Sequence, residues 1–336
     1  MLRKVILATL LLLMTTLFMA GCLNEGGNDV DTVNNQLPER VDMSFDDIVN
    51  LMSMSKDEVL DWCGENYIRV PSNGIKIEKY TDRNNLINIY FSAIVDPNKI
   101  DSIEFTDCAD INGIRIGEVY VELAELLPDN YTDFDLYGGA PNKWSKNYTF
   151  TFDDFFVIIE QESFDSEIYA ANEIIGIKVV RSIPLENMKR MIDMSEEDLI
   201  CNYGGEYGET SDYRFGFKEY IYSNSFLGAL LILQEYPDGA RHNQIRASNW
   251  NNSRLTIDGA HVGMNINDIL NNFGKPDYHG PFPPGDDDFL VGELLVYGID
   301  GGQVCFYAYE DGGECKRIVY RDWIGDNRPQ SFRLYD

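Results

Sequence analysis

The segments "FDDIVNLMSMSKDEVLDWCGENY" (residues 45–67) and "LENMKRMIDMSEEDLICNYGGEY" (residues 185–207) align without a gap. Met54 matches Met194, Ser55 matches Ser195, Gly64 matches Gly204 and Tyr67 matches Tyr207, all at an offset of 140 residues. Tyr80 and Tyr220 extend the match at the same offset. A second pair lies between them: "INGIRIGEVYVELAELL" (111–127) aligns with "IDGAHVGMNINDILNNF" (257–273) at an offset of 146. The chain therefore reads A, B, A′, B′, and self-similarity of this kind marks a repeat architecture.

Each unit has the same local logic. In A, the spacing of Phe45, Ile48, Val49 and Met52 predicts one apolar helical face. Ser55 then stands as the N-cap of a second helix, with Asp57 and Glu58 in a first turn that favours acids. Val59, Leu60 and Trp62 give its apolar stripe, and Gly64 ends it. In B′, Asn265 caps, Ile266, Ile269, Leu270 and Phe273 pack, Gly274 stops the helix, and Pro276 prevents its continuation. Strands follow the helices. In "LINIYFSAI" (86–94), Ile87, Ile89, Phe91 and Ala93 share one face, while Asn88, Tyr90 and Ser92 share the other. Period two with one polar face predicts an antiparallel sheet covered on one side. The same alternation recurs in "IKVVR" (177–181) and "QVCFYAY" (303–309). The expected fold is α+β: a tandem repeat of short helical segments followed by antiparallel sheets, with helices on one sheet face and the other face open. Residues 43–181 and 182–336 are the expected repeat pairs.

Ahead of them the chain opens "MLRKVILATLLLLMTTLFMAGC". Arg3 and Lys4 form a basic start, and the apolar run Val5–Ala20 is shorter than the roughly 20 residues of a membrane span. It fits a secretory h-region. The sequence Met-Ala-Gly-Cys at residues 19–22 resembles the lipobox of bacterial lipoproteins. The resemblance implies cleavage after residue 21, diacylation of Cys22, with acyl groups such as palmitate, and acylation of the new N-terminus. Several acyl chains together anchor stably, whereas one alone is marginal. The expected location is the extracytoplasmic face of a cell membrane. Residues 22–42 are rich in Gly, Asn and Asp and read as a flexible tether, reaching roughly 20–25 Å from the bilayer.

"HVGMNINDILNNFGKPD" (261–277) resembles the helix-turn signature of the SmpA/OmlA lipoprotein domain, where Gly-Met, a polar cap and Gly-x-Pro bracket a short helix. The helix-loop-helix of A and A′, followed by strands and duplicated, resembles the fold of the β-lactamase inhibitor protein. That likeness covers most of Met43–Trp323 and implies a protein-binding, non-enzymatic module. Unit B departs from the motif: Pro128 stands where Gly274 does.

The net charge is −29, from 27 Lys+Arg against 56 Asp+Glu. Such a chain is repelled by phosphate backbones, so nucleic acid is excluded as a partner. A neutral or basic partner suits it better. With Cys22 lipidated, five cysteines remain, an odd number that argues against a complete disulfide framework. Strand register puts Cys305 and Cys315 on opposite faces, too far apart for a bridge. Cys63 with Cys108 is conceivable, and Cys201 completes the set; small buried thiols are the alternative. There is no His-Glu-x-x-His, Gly-x-Ser-x-Gly, Cys-x-x-Cys or P-loop, and no cofactor motif. Asp286, Asp287 and Asp288 lack EF-hand spacing.

The remaining candidate is a surface. Parity places Tyr80 with Lys76 and Glu78, Tyr90 with Asn88 and Ser92, Tyr220 and Tyr222 with Lys218, and Tyr307 and Tyr309 with Gln303. On an uncovered sheet face these six tyrosines would bind a protein, peptide or glycan. Tyr is also simply a good strand former. Trp144 and Trp250 lie in loop-like segments. The alternative function is a cell-envelope hydrolase using paired carboxylates in a cleft between the halves.

Overall fold

Ser44 and Ser55 each start a helix by closing a capping box. Each hydroxyl accepts the backbone N–H three residues on, at Asp47 and Glu58, and each of those carboxylates accepts the serine's own N–H. They open α1 (Phe45–Ser53) and α2 (Lys56–Cys63). In the second half α3 (Leu185–Ile192) leads to α4 (Glu196–Tyr203), whose cap Ser195 accepts from the Asp198 N–H. Asn265 caps α5 (Ile266–Phe273). Gly64, Gly204 and Gly274 follow three of these helices at φ of +54°, +70° and +76°, where a side chain is strained. Among the described residues unit B forms only a 3₁₀ turn here, Leu123–Leu126, before Pro128. A proline there disfavours helical backbone at the residue before it.

The computed structural model describes residues 41–82, 87–106, 109–120, 123–128, 131–137, 144–152, 154–163, 172–212, 217–224, 226–237, 241–248, 253–281, 292–299, 302–309 and 312–324. The first half holds β1 (Val41–Met43), β2 (Tyr67–Val70), β3 (Ile77–Asp82), β4 (Ile87–Ser92), β5 (Ile100–Phe105), β6 (Ala109–Ile111), β7 (Ile114–Arg115), β8 (Tyr131–Tyr137), β9 (Trp144–Phe152), β10 (Phe155–Ser163) and β11 (Asn172–Arg181). The second holds β12 (Ile183–Pro184), β13 (Glu206–Asp212), β14 (Phe217–Asn224), β15 (Ala229–Glu235), β16 (Arg241–Ser248), β17 (Leu255–Ile257), β18 (Ala260–His261), β19 (Tyr278–Pro281), β20 (Glu293–Ile299), β21 (Gly302–Ala308) and β22 (Cys315–Ile324). The protein is mostly antiparallel sheet with short helices.

One eight-stranded sheet runs β2-β3-β4-β5-β11-β10-β9-β8 and the other β13-β14-β15-β16-β22-β21-β20-β19, the same order counted along the chain. In each, a four-stranded meander from the A-type unit meets one from the B-type unit, last strand against last strand. The three-stranded sheets β1-β6-β7 and β12-β17-β18 also correspond. Val41 pairs in parallel with Ala109, and Ile183 with Leu255. Val41 and Asp42, read as tether, therefore belong to the fold. Asn112-Gly113 and Asp258-Gly259 turn the small hairpins, with φ of +54°, +88°, +48° and +85°. Two-residue turns of the primed kind require positive φ at both positions.

Helices and one sheet face share each core. Ile48, Leu51, Met52 and Val59 are buried with Ile89, Phe91, Ile103, Phe150, Ile177 and Val179. Met188, Met191, Leu199, Ile266 and Ile269 are buried with Leu231, Ile245, Phe306 and Ile318. Two expected core residues lie outside. Val49 is 36% exposed where Leu51 is 3% exposed, so α1 turns its face slightly from the expected one. In α2 the buried pair is Val59 and Cys63, four apart, which rotates Trp62 outward to 51% exposure.

The halves join along a seam. The last turn of α4 leaves carbonyls without intrahelical donors. The N–H groups of Ile75 and Lys76 supply them, at 3.1 Å to Cys201 O and 2.9 Å to Asn202 O. Gly74 is required there, because a Cβ would stand 2.4 Å from Asn202 O. Ile77 and Ile94, from the first half, belong to the second half's core. Arg254 donates to Arg181 O at 2.8 Å and to Phe226 O at 2.6 Å, and faces Asp101 at 2.9 Å. Arg181 in turn donates to Ile100 O and Met52 O and pairs with Asp154.

Candidate functional site

A cleft of about 460 Å³ opens along this seam. Strand β4 brings Tyr90 to it from the sheet face opposite Ile89 and Phe91. The Tyr90 hydroxyl donates to Glu104 Oε2 at 2.7 Å, and its ring meets Phe226 edge-on at 5.4 Å. Lys79 Nζ stands 5.4 Å above the Tyr90 ring. Burial, with the Glu104 carboxylate second, pushes the Tyr90 phenol well above its ordinary pKa, so it is a hydrogen-bond donor at neutral pH. Asn224 holds the opposite wall. Its amide donates to Tyr203 O at 2.6 Å, and its side-chain oxygen accepts the Phe226 N–H at 2.7 Å. Asn73, Ser72, Ser223 and Glu206 also line it. An aromatic floor with amide, hydroxyl and charged groups above it suits a polar ligand with apolar faces.

Of the six tyrosines expected on an open face, only Tyr90 lines this cleft. Tyr80 lies opposite Ile89 in the ladder and edge-on to Phe91 at 5.7 Å, on the helix-covered face. The parity relative to Ile77 is right but its sense is reversed. Ile77 is apolar because the second half covers it, not because it points to its own helices. Tyr222 is 1% exposed in the second core, and its hydroxyl donates to Gly204 O at 2.7 Å. Tyr220 shares its face and tilts against Tyr207 at 6.2 Å. Tyr307 does turn away from the helices, yet it is fully buried beside Leu294, Val296, Cys305 and Val319, with Arg317 over its ring at 4.1 Å. The middle of "QVCFYAY", residues 304–308, is thus buried on both faces. Tyr309 is half-buried in the bend after β21.

The other expected groups divide similarly. Cys305 sits in the outer cluster and Cys315 in the helix-covered core, on opposite faces. Burial pushes the Cys63 and Cys315 thiols up to about 12, which holds both protonated. Trp144 begins β9 and is not in a loop. Cys22, Cys108, Trp250 and Asp286–Asp288 lie outside the described residues. Phe226, Lys79 and Asn224 escaped the sequence reading. Asn224 followed by Phe226 is a turn signal with an aromatic at its tip, but nothing local tells that the tip meets the other half. No protein-family model matches the chain, and no curated protein is similar enough to count as a match.

Proposed function

We propose that this chain is a lipid-anchored, extracytoplasmic lipoprotein acting as a non-catalytic recognition module, and that it takes a protein segment, peptide or glycan in the seam cleft. The observation that carries the reading is the Tyr90–Phe226 floor, built from both halves and ringed by Lys79, Asn73, Asn224 and Glu206. The two matching strand orders are read as a tandem duplication whose seam created the cleft. The likeness of the sequence to the SmpA/OmlA domain and the β-lactamase inhibitor fold belongs to the same reading. Of the two carboxylates that line the cleft, Glu104 and Glu206, Glu104 accepts the Tyr90 hydroxyl.

Two experiments test the proposal. Cys22→Ser should shift the protein from the membrane to the soluble fraction and remove the mass of the acyl chains. Unchanged partitioning and mass would end the anchoring part. For recognition, arrays of short peptides and oligosaccharides are probed with the full chain in detergent. Phe226→Ala or Tyr90→Ala should weaken the best ligand by about 2 kcal/mol, roughly 30-fold, as centrally buried aromatics do. Ligands bound equally by wild type and both variants would remove the cleft from the function.

A further inference from the structure

A second pocket, of about 360 Å³, opens in the first half and shares no lining residue with the seam cleft. One wall holds Arg181, the last residue of β11, whose side chain is 4% exposed. Arg181 is spoken for: it donates to Ile100 O at 2.8 Å and to Met52 O, and Asp154 neutralises it. Phe152 and Phe155 pair across the β9–β10 turn, and their rings stack at 5.0 Å. Val49, the α1 residue turned outward at 36% exposure, adds apolar surface from the helix. Lys99 is the remaining charge. It is exposed, and among the described residues its ammonium makes no ion pair and no hydrogen bond.

The corresponding place in the second sheet is filled. The ladder that sets Phe155 against Arg181 sets Gly302 against Asp322, and Tyr320 stands where the first sheet has Val179. A Cβ on Gly302 would lie 2.8 Å from the Tyr320 ring, so the tyrosine occupies the space that a side chain like Phe155 would take. On the helix, Val49 is matched by Lys189, whose ammonium stands 5.4 Å from the same ring. One half closes this place with Tyr320 and Lys189, and the other leaves it open and lines it with Phe152, Phe155 and Val49. The charges that line the open pocket are two bases, Lys99 and Arg181, against one acid, Asp154. That excess of one positive charge stands in a chain where acids outnumber bases 56 to 27. An unpaired cation beside apolar walls suits a ligand with a carboxylate at one end and hydrocarbon at the other. The hydrocarbon leaves water against the rings while the carboxylate stays at the exposed lysine. The volume lies near the lower end of the roughly 300–1,000 Å³ of small-molecule sites, which favours a short acid.

We propose that this pocket binds a small carboxylic acid with an apolar body, its carboxylate on Lys99 and its hydrocarbon against Val49, Phe152 and Phe155. The test follows proton NMR line broadening of hexanoate and of phenylpropionate by the full chain in neutral detergent, against a detergent blank. Hexanol and hexylammonium probe the need for negative charge. At least one acid should bind saturably and about fivefold tighter than hexanol, the upper value of an exposed ion pair. Hexylammonium should not bind. The tighter of the two acids tells whether the favoured body is aliphatic or aromatic. Lys99→Gln should bring the acid down to the affinity of the alcohol, and Lys99→Arg should restore it. Val49→Asp sets a carboxylate among the apolar walls and should abolish binding of acid and alcohol alike. Circular dichroism verifies the fold of each variant, and the Lys99 variants, at an exposed side chain without partners, keep it. Hexanol binding as tightly as the acids would overturn the proposal. So would undiminished acid binding in Lys99→Gln, or broadening no greater than in the blank.

Discussion

Replacing Arg254 by methionine should destabilise the protein by about 3–5 kcal/mol, the typical cost of removing one partner of a buried ion pair. The side chains of Arg254 and Asp101 are 3% and 1% exposed, so the carboxylate left behind has no access to water. Their contact at 2.9 Å is Coulombic, outside hydrogen-bond alignment, which places more of the arginine's role on its two carbonyl acceptors. Those acceptors, Arg181 O and Phe226 O, would be orphaned as well. The guanidinium also lies 5.4 Å from the Phe226 ring. Arg254→Met therefore strikes the seam and one wall of the cleft together. Urea denaturation measures the first effect; ligand affinity, taken where the variant is fully folded, measures the second. A loss below about 1 kcal/mol would mean that the pair is hydrated in solution, as exposed pairs are. The double variant Asp101→Leu with Arg254→Met should recover part of the loss, because no lone charge remains.

Arg254 also marks where sequence reading stops. Its counterpart at the 146-residue offset is Cys108, so the alignment on which the proposed duplication rests conceals the residue that ties the halves together. What was legible was local. Ser55, Ser195 and Asn265 cap because their side chains reach backbone N–H groups two or three residues away, and Gly64, Gly204 and Gly274 follow helices because only glycine is unstrained there. Alternation in β4 separates Ile89 from Tyr90 correctly, since that strand has one face on its own helices. Parity fails where a third layer intervenes. Ile77 is buried by the other half, and β21 is buried on both faces, so the rule that polar means open assigns Tyr80, Tyr222 and Tyr307 to the wrong surroundings. The cleft is the same problem at larger scale: Tyr90 and Phe226 are far apart in sequence, and no periodic signal pairs them.

Acidification should cost the fold about 3 kcal/mol through His242 alone. This histidine is 1% exposed on β16, and its Nδ1 lies 3.1 Å from Gln234 Oε1. Burial, with the Arg321 charge second, lowers its pKa from 6.5 to about 4. The unfolded chain thus binds a proton between about pH 6.5 and 4 that the folded chain refuses. The stabilisation is complete above the unfolded pKa and is lost as pH falls through this window. A lowering of this size, at 1.36 kcal/mol per unit, gives the stated loss. His261 is lowered by burial too and adds a slope of the same sign. Asp47 and Glu58, lowered chiefly by their hydrogen bonds to Ser44 and Ser55, act in a more acid window and in the same direction. Falling net charge relieves self-repulsion and works the other way in every variant. The informative quantity is therefore a difference: denaturant midpoints of wild type and His242→Gln, measured from pH 7 to pH 4. Wild type should lose stability more steeply, and the gap between the two curves should change by about 3 kcal/mol. Parallel curves would show that folded His242 takes up its proton as readily as the unfolded chain does, and that this face of the second sheet admits water to its centre.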